Sequence, residues 1–146
     1  MENRSKHMSG VANYMFNNAK TYNLDPEEMY VLGVLHDVGY LRGVKEDHEV
    51  TGARILKEKI GVRNPHILWC VHNHGRIIKH FSWSIDRHRK AFLLMKADMI
   101  IDSNGEKVGY KNRLKNIGER YGFESETYQK CEELINWLKK IEKIRR

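Results

Sequence analysis

The chain has 146 residues, enough for one hydrophobic core, so we expect a single domain over residues 1–146. Cys70 and Cys131 lie far apart and outside any CxxC spacing, which argues against a disulfide framework and against a thiolate zinc site. No apolar run approaches the roughly 20 residues of a membrane span and no N-terminal stretch resembles a signal peptide, so we expect a soluble cytoplasmic protein. The net charge of +7 favours encounters with anionic molecules without distinguishing nucleotides from nucleic acid.

Helical periodicity dominates the chain. Pro26 and Pro65 each follow an N-cap type of residue, Asp25 and Asn64, and so each predicts a helix start. Apolar residues recur at spacings of three and four, whereas sustained apolar–polar alternation is absent. We therefore predict an all-α fold, a single compact bundle of six to seven helices. The predicted helices cover residues 3–22, 26–39, 48–60, 65–75, 84–102, 110–121 and 125–143, and the segment 75–84 is either a loop or a short helix.

Polar side chains interrupt the apolar faces of the first two predicted helices. His7 lies in register with Val11 and Tyr14, which places an imidazole on the face that should be buried. The adjacent pair His36 and Asp37 follows an apolar run in the second helix. A buried carboxylate is costly without a compensating partner, and a metal cation is one of the few partners that satisfies both side chains. The pair therefore predicts a metal site.

Two later helices carry the same kind of anomaly. His74 shares a helix face with Ile67 and Val71, and Asp98 lies in the middle of an apolar stripe of the fifth helix. His72 is the alternative to His74, because positions two apart point about 200° away from each other on a helix. We prefer His74 for its apolar neighbours. A single buried histidine is more often a hydrogen-bonded core residue than a ligand, so the metal hypothesis depends on the joint pattern.

The three remaining histidines of the middle region have polar or basic neighbours. We expect His66, His80 and His88 to lie at the surface.

His7, His36, Asp37 and Asp98, in the order H…HD…D, resemble the signature of the HD-domain metal-dependent phosphohydrolase superfamily. The pattern is most similar to small stand-alone bacterial HD hydrolases, among them the branch that hydrolyses diadenosine tetraphosphate, whose substrate we do not carry over. The resemblance implies that these four residues bind a divalent metal ion. It also implies catalytic roles for His36 and Asp37.

The resemblance extends to two further histidines. In two-metal members of the superfamily, one histidine opens the helix after the HD pair and another lies near the end of the next helix, positions held here by His48 and His74. One or two ions are therefore implied, with Asp37 as the bridge if two bind. Imidazole and carboxylate ligands suit Mn, Fe, Co, Ni or Zn, with Mg as a further candidate. The implied metal-site core covers residues 7–98, with C-terminal helices over 110–143 packed on it.

The implied activity is metal-dependent hydrolysis of a phosphate ester or anhydride in a small metabolite, with a nucleotide as the favoured substrate. Arg42, Lys45, Arg76 and Lys79 follow the ligand segments and are candidate substrate-binding residues, although solvated loop cations are an equally good interpretation of each. A non-catalytic HD-fold module that binds nucleotides or regulates another protein is the alternative. A nucleic-acid partner rests on net charge alone and is not expected, and the oligomeric state stays open.

Overall fold

The computed structural model describes residues 5–38 and 48–145. Within this part of the chain, the side chains of residues 48–51, 59 and 60 are not described. The described residues form an all-α bundle without a β-strand, and an isolated antiparallel bridge joins Ile101 to Lys107.

Seven α-helices make up the described part of the bundle, which confirms the all-α prediction. Judged by length and apolar character together, none of them qualifies as a membrane-spanning helix. In chain order they are α1 (Ser5–Asn18), α2 (Pro26–Leu35), α3 (His48–Ile55), α4 (Pro65–Asn73), α5 (Asp86–Ile100), α6 (Gly109–Tyr121) and α7 (Glu126–Ile144).

Both proline-marked helix starts are confirmed. The Asp25 side chain accepts a hydrogen bond of 2.8 Å from the backbone N–H of Glu28, and Pro26 occupies the first turn of α2. Asn64 accepts from the backbone N–H groups of His66 and Ile67 ahead of α4. These side chains satisfy N–H groups that have no partner inside the helix, so the local sequence alone sets both starts.

Two predicted helices end at the predicted residues, 22 and 60, but change their helix type before the end. The first predicted helix is α-helical only to Asn18 and then tightens into a 3₁₀ turn over Ala19–Tyr22, which Asn23 ends in the left-handed region at φ 57°. The third continues beyond α3 as a π-helical turn over Leu56–Ile60, closed by Gly61 at φ 82°. Asparagine and glycine are the residues that most readily adopt this conformation, so the stops are local in origin.

The second helix, in contrast, ends earlier than predicted. Its α-helical part stops at Leu35, so His36 and Asp37 lie in the turn that follows α2, and the predicted end at residue 39 lies outside the described residues. The sequence allowed either a loop or a short helix over residues 75–84. The structure shows a connection without helix there, and α5 begins at Asp86.

Helices α1 and α2 run antiparallel at close range. Gly33 approaches the backbone of Ala12 so closely that a Cβ added at Gly33 would lie 2.5 Å from the Ala12 Cα. The rings of Phe16 and Tyr30 meet edge to face further along the pair. This packing brings the start of α1, which carries His7, beside the end of α2.

Helix α5 lies at the centre of the bundle. Ten of its residues are buried, and it packs against α1, α2, α4, α6 and α7. Asp98 is near its C-terminal end and reaches the same region as the start of α1. The C-terminal helices contact α5, while the extent of the domain, residues 1–146, stays a prediction.

The surface prediction is wrong for His88. This residue is only 6% exposed, its ring stacks between those of Trp69 and Phe81, and its Nδ1 accepts a hydrogen bond from the backbone N–H of Ser82. The connection before α5 folds back over the helix, and sequence neighbours do not reveal such a contact. His80 is exposed as predicted.

We predict that Gly33→Ala destabilises the protein by about 1–3 kcal/mol, because the added methyl group has no room between two helix backbones. Elsewhere in a helix, replacing glycine by alanine normally stabilises the helix by about 1 kcal/mol. A loss of stability in Gly33→Ala would therefore itself indicate the close contact. Urea unfolding of the purified variant measures the change.

Gly118→Ala is the matched control, since the three atoms nearest to its new methyl group all belong to the ring of Phe123, a residue that is 54% exposed and can move. We expect it to change the free energy of unfolding by less than about 1 kcal/mol. A Gly33→Ala variant as stable as the wild type would contradict the close packing of α1 and α2.

Candidate metal centre

Four of the sequence-predicted side chains converge in one cluster. His7 comes from α1, His36 and Asp37 from the turn after α2, and Asp98 from α5, and one ligand atom of each lies within 4.8 Å of the others. His7, His36 and Asp37 are at most 1% exposed, and the side chain of Asp98 is 13% exposed. The structure therefore places two carboxylates and two imidazoles in one largely buried site, of which Asp98 is the most exposed member.

The imidazole nitrogens and carboxylate oxygens approach one another closely. His7 Nε2 lies 2.7 Å from Asp98 Oδ1. His36 Nε2 lies 3.2 Å from Asp37 Oδ2 and 3.5 Å from Asp98 Oδ1. Atoms that both carry lone pairs come this close only when a proton or a cation lies between them. The cluster thus requires positive charge at its centre.

The opposite nitrogen of each ring is held by the backbone. Nδ1 of His36 lies 2.6 Å from the carbonyl oxygen of Gly33, and Nδ1 of His7 lies 3.0 Å from that of Asp102. A carbonyl oxygen only accepts, so each Nδ1 carries a hydrogen and donates it. In the neutral ring the Nε2 lone pair then points to the cluster, which is the tautomer that metal-binding histidines adopt.

One unsatisfied atom tests whether a cation fits. Nε2 of His36 is a buried nitrogen that makes no hydrogen bond of good geometry with the described residues, although the two carboxylate oxygens lie 3.2 and 3.5 Å away. A buried polar atom of this kind calls for an explanation, and a bound ion is one of them. With two carboxylates around it, the atom fits a divalent cation bound by imidazole and carboxylate groups.

His74 extends the cluster on the side of Asp37. It is 1% exposed, and its Nε2 lies 3.7 Å from Asp37 Oδ1, the carboxylate oxygen that faces away from His36. Its Nδ1 lies 2.7 Å from the carbonyl oxygen of Val71, the same tether found at the other two histidines. His72, the alternative, is half-buried on another side of α4. The structure brings His74 to the carboxylate, and its role as a ligand stays a prediction.

The described residues test the remaining candidates only in part. His48 opens α3 as predicted, but its side chain is not described, and Arg42 and Lys45 lie outside the described residues. Arg76 and Lys79 are exposed on the connection between α4 and α5. Their role in substrate binding stays a prediction.

Helix α6, in which the sequence predicted no site residue, lines a pocket of about 400 Å³ that His7 also borders. Arg113 and Arg120 are its basic side chains. They are seven residues apart, a spacing that puts both on one helix face and was visible in the sequence. What the sequence did not reveal is that this face turns toward the cluster.

Opposed effects set the protonation of the cluster. Burial alone would lower the pKa of His36, but the carboxylates of Asp37 and Asp98 outweigh it and raise that pKa to about 10. Burial alone would raise the pKa of Asp98, but His36 and His7 hold it well below its usual range. Without metal, the cluster therefore retains a proton on His36, which a metal ion must displace.

A family model described as HD domain matches residues 4–108, a span that contains all four members of the cluster and His74. No curated protein and no solved structure was found to match the chain.

We predict opposite pH trends for the metal-free and metal-loaded protein. The pKa of His36 is near 6.5 when unfolded and about 10 when folded, so its stabilising effect is complete below about pH 6.5 and lost as the pH rises through 10. Metal affinity should rise over the same interval, because binding releases the proton. Urea unfolding with EDTA and metal titration calorimetry in buffers of different ionisation enthalpy measure the two trends.

His36→Asn is the control, since it removes the titrating ring. Its metal-free form should lose most of the pH dependence between 6.5 and 10. Metal binding without proton release in the wild type would contradict a protonated His36 in the cluster.

Proposed function

The chain belongs to the HD-domain family, and we propose that it is a metal-dependent phosphohydrolase acting on a small phosphorylated metabolite, with a nucleotide as the favoured substrate. The observation that carries the proposal is the buried cluster of His7, His36, Asp37 and Asp98, in which two Nδ1 tethers turn imidazole lone pairs toward two carboxylates. A purely structural network would give His36 Nε2 a well-aligned hydrogen bond, whereas here it faces two carboxylate oxygens at 3.2 and 3.5 Å without one.

In this proposal His7, His36, Asp37 and Asp98 hold the first ion. A divalent ion, when bound there, acidifies water and neutralises charge on the phosphoryl oxygens. The backbone tethers keep the rings of His7 and His36 in place, so no reorganisation is needed during the reaction. Asp98 is the most exposed of the four, which suggests that substrate approaches from its side.

Asp37 has the most demanding role. Its Oδ2 faces His36, while its Oδ1 faces His74, so a single carboxylate presents one oxygen to each side. This arrangement supports a second ion held by His74, with His48 as a further ligand and Asp37 as the bridge. His36 and Asp37 are therefore the residues on which we expect turnover to depend most. Mn, Fe, Co, Ni and Zn suit such ligands, and Mg is the further candidate.

Elemental analysis of protein purified without added metal, followed by a screen of nucleotides and p-nitrophenyl phosphates with Mn, Co, Ni and Mg, tests the proposal. We expect bound transition metal and metal-dependent phosphate release. Absence of both would count decisively against it. Tight nucleotide binding with no product after long incubation would instead favour the non-catalytic module.

Asp37→Asn should reduce turnover by more than the roughly 10–100-fold typical of losing an outer-shell partner, because it removes a charge from the centre itself. Metal content, measured on the same sample, should fall as well. Glu133→Gln makes the same chemical change at an exposed position of α7 and should retain full turnover. An Asp37→Asn enzyme with wild-type turnover would remove the proposed mechanism.

A further inference from the structure

Asp98, a member of the cluster, lies where the regular hydrogen bonding of α5 stops. The helix ends two residues later, at Ile100, so the carbonyl groups of its last turn need donors from elsewhere. In a continuing helix the carbonyl oxygen of Asp98 would accept from the N–H of Asp102, four residues on. That N–H donates instead to the carbonyl oxygen of Glu106, at 2.8 Å across the turn that follows α5. The usual donor for the Asp98 carbonyl is therefore engaged.

Helix α6 provides the donors for this end of α5. Arg113 Nε donates a 3.1 Å hydrogen bond to the carbonyl oxygen of Asp98. The backbone N–H of Val108, directly before α6, donates at 2.8 Å to the carbonyl oxygen of Ile100. Ile117, one turn after Arg113, is buried and anchors α6 in the bundle. One helix thus caps the C-terminal end of another at a residue of the cluster, and a cation suits that end of a helix.

The position of this helix end matters to two members of the cluster. Oδ1 of Asp98 lies 2.7 Å from His7 Nε2 and 3.5 Å from His36 Nε2. The chain that leaves α5 leads to Asp102, whose carbonyl oxygen lies 3.0 Å from His7 Nδ1 and orients that ring. Bonds from carboxylate oxygens to a metal such as zinc are only about 2.0–2.2 Å long, and helix ends fray when they are not capped. A loosened end of α5 would therefore disturb both Asp98 and His7.

We propose that Arg113 is a positioning residue of the metal centre. By bonding the carbonyl oxygen of Asp98 it fixes the end of α5, and so it holds the Asp98 carboxylate where that group can bind the ion. Arg113 lies beyond residue 108, where the match to the HD-domain model ends, whereas the four members of the cluster all lie within the match. This inference rests on the proposed function in that it takes the cluster as a metal site, but it depends on neither turnover nor substrate.

The hydrogen bond and the charge of Arg113 have opposite effects on metal affinity. A guanidinium close to the centre repels a cation, so an effect of charge alone would make metal binding tighter when Arg113 is neutralised. A positioning bond would make metal binding weaker when the donor is lost. The sign of the change therefore separates the two effects.

Calorimetric titration of Co²⁺ into the metal-depleted full chain measures that sign. Arg113→Met places a methyl group where Arg113 has Nε and removes both donor and charge. We expect it to weaken Co²⁺ binding roughly tenfold, the lower end of the range for losing a group that supports a ligand. Arg113→Gln places an amide nitrogen at the position of Nε, and this neutral donor should keep the affinity within about threefold of the wild type.

The visible absorption of bound Co²⁺ provides a second measurement, because it depends on the arrangement of the ligands and a loss of general stability does not change it. Arg113→Met should alter the bands, and Arg113→Gln should restore the wild-type spectrum. Lys115→Met is the matched control, since it removes a positive charge from an exposed position of the same helix. It should leave the spectrum unchanged and the affinity within about twofold of the wild type.

Arg113→Lys decides the matter if Arg113→Met does not fold. It keeps the charge but has a methylene group at the position of Nε, so its ammonium reaches the Asp98 carbonyl only by rearrangement. We expect Co²⁺ binding about threefold weaker or more, the cost of a poorly placed hydrogen bond. Wild-type affinity in Arg113→Lys would then overturn the inference.

The outcomes distinguish this inference from the proposed function. Unchanged or tighter Co²⁺ binding in Arg113→Met, or an equal loss in Arg113→Gln or Lys115→Met, would overturn the role of Arg113 and leave an active phosphohydrolase intact. A loss in Arg113→Met that Arg113→Gln restores, in a chain that hydrolyses nothing, would support the role of Arg113 and contradict the phosphohydrolase. A wild type that binds no Co²⁺ would contradict the metal centre on which both depend.

Discussion

Three hydrogen bonds from histidine Nδ1 groups to backbone carbonyl oxygens set the chemistry of this protein. Gly33, Asp102 and Val71 provide the carbonyls. Each bond places a ring hydrogen on the outer nitrogen, so that in the neutral ring the inner nitrogen faces the carboxylates with its lone pair. Without these bonds the imidazoles would be free to rotate or to adopt the other tautomer, and the carboxylates could be satisfied by ordinary hydrogen bonds. Backbone carbonyls therefore orient all three imidazoles.

The helix packing places those carbonyls. The carbonyl of Gly33 belongs to the last turn of α2, and Gly33 is also the residue whose missing side chain lets α2 approach α1. The carbonyl of Asp102 lies in a turn held against α1 where Gly105, at φ 82°, meets Gly10. A Cβ at Gly10 would lie 2.4 Å from the Gly105 oxygen, so this approach tolerates no side chain. Two close backbone contacts thus position His7 and His36 as well as stabilising the bundle.

The part of the site outside the cluster is formed by a different helix. Helix α6 contributes no member of the cluster, but through Arg113 it is bonded to the backbone of Asp98 and forms the wall of the adjoining pocket. The cluster groups His and Asp side chains that could hold a metal ion, and the α6 wall belongs to a pocket that His7 also borders. The cluster and the pocket wall are therefore built from different elements, and the bond from Arg113 to the backbone of Asp98 joins them.

The sequence by itself determined the fold class, the helix starts at Pro26 and Pro65, and the anomaly of His7, His36, Asp37 and Asp98 on apolar faces. These features depend on neighbours within one or two helical turns, and the local sequence contains that information. Only the tertiary structure decided that His74 meets Asp37, that His88 is buried, and that the basic face of α6 turns toward Asp98. Residues far apart along the chain meet through helix packing, which depends on many side chains at once, and no local pattern specifies it.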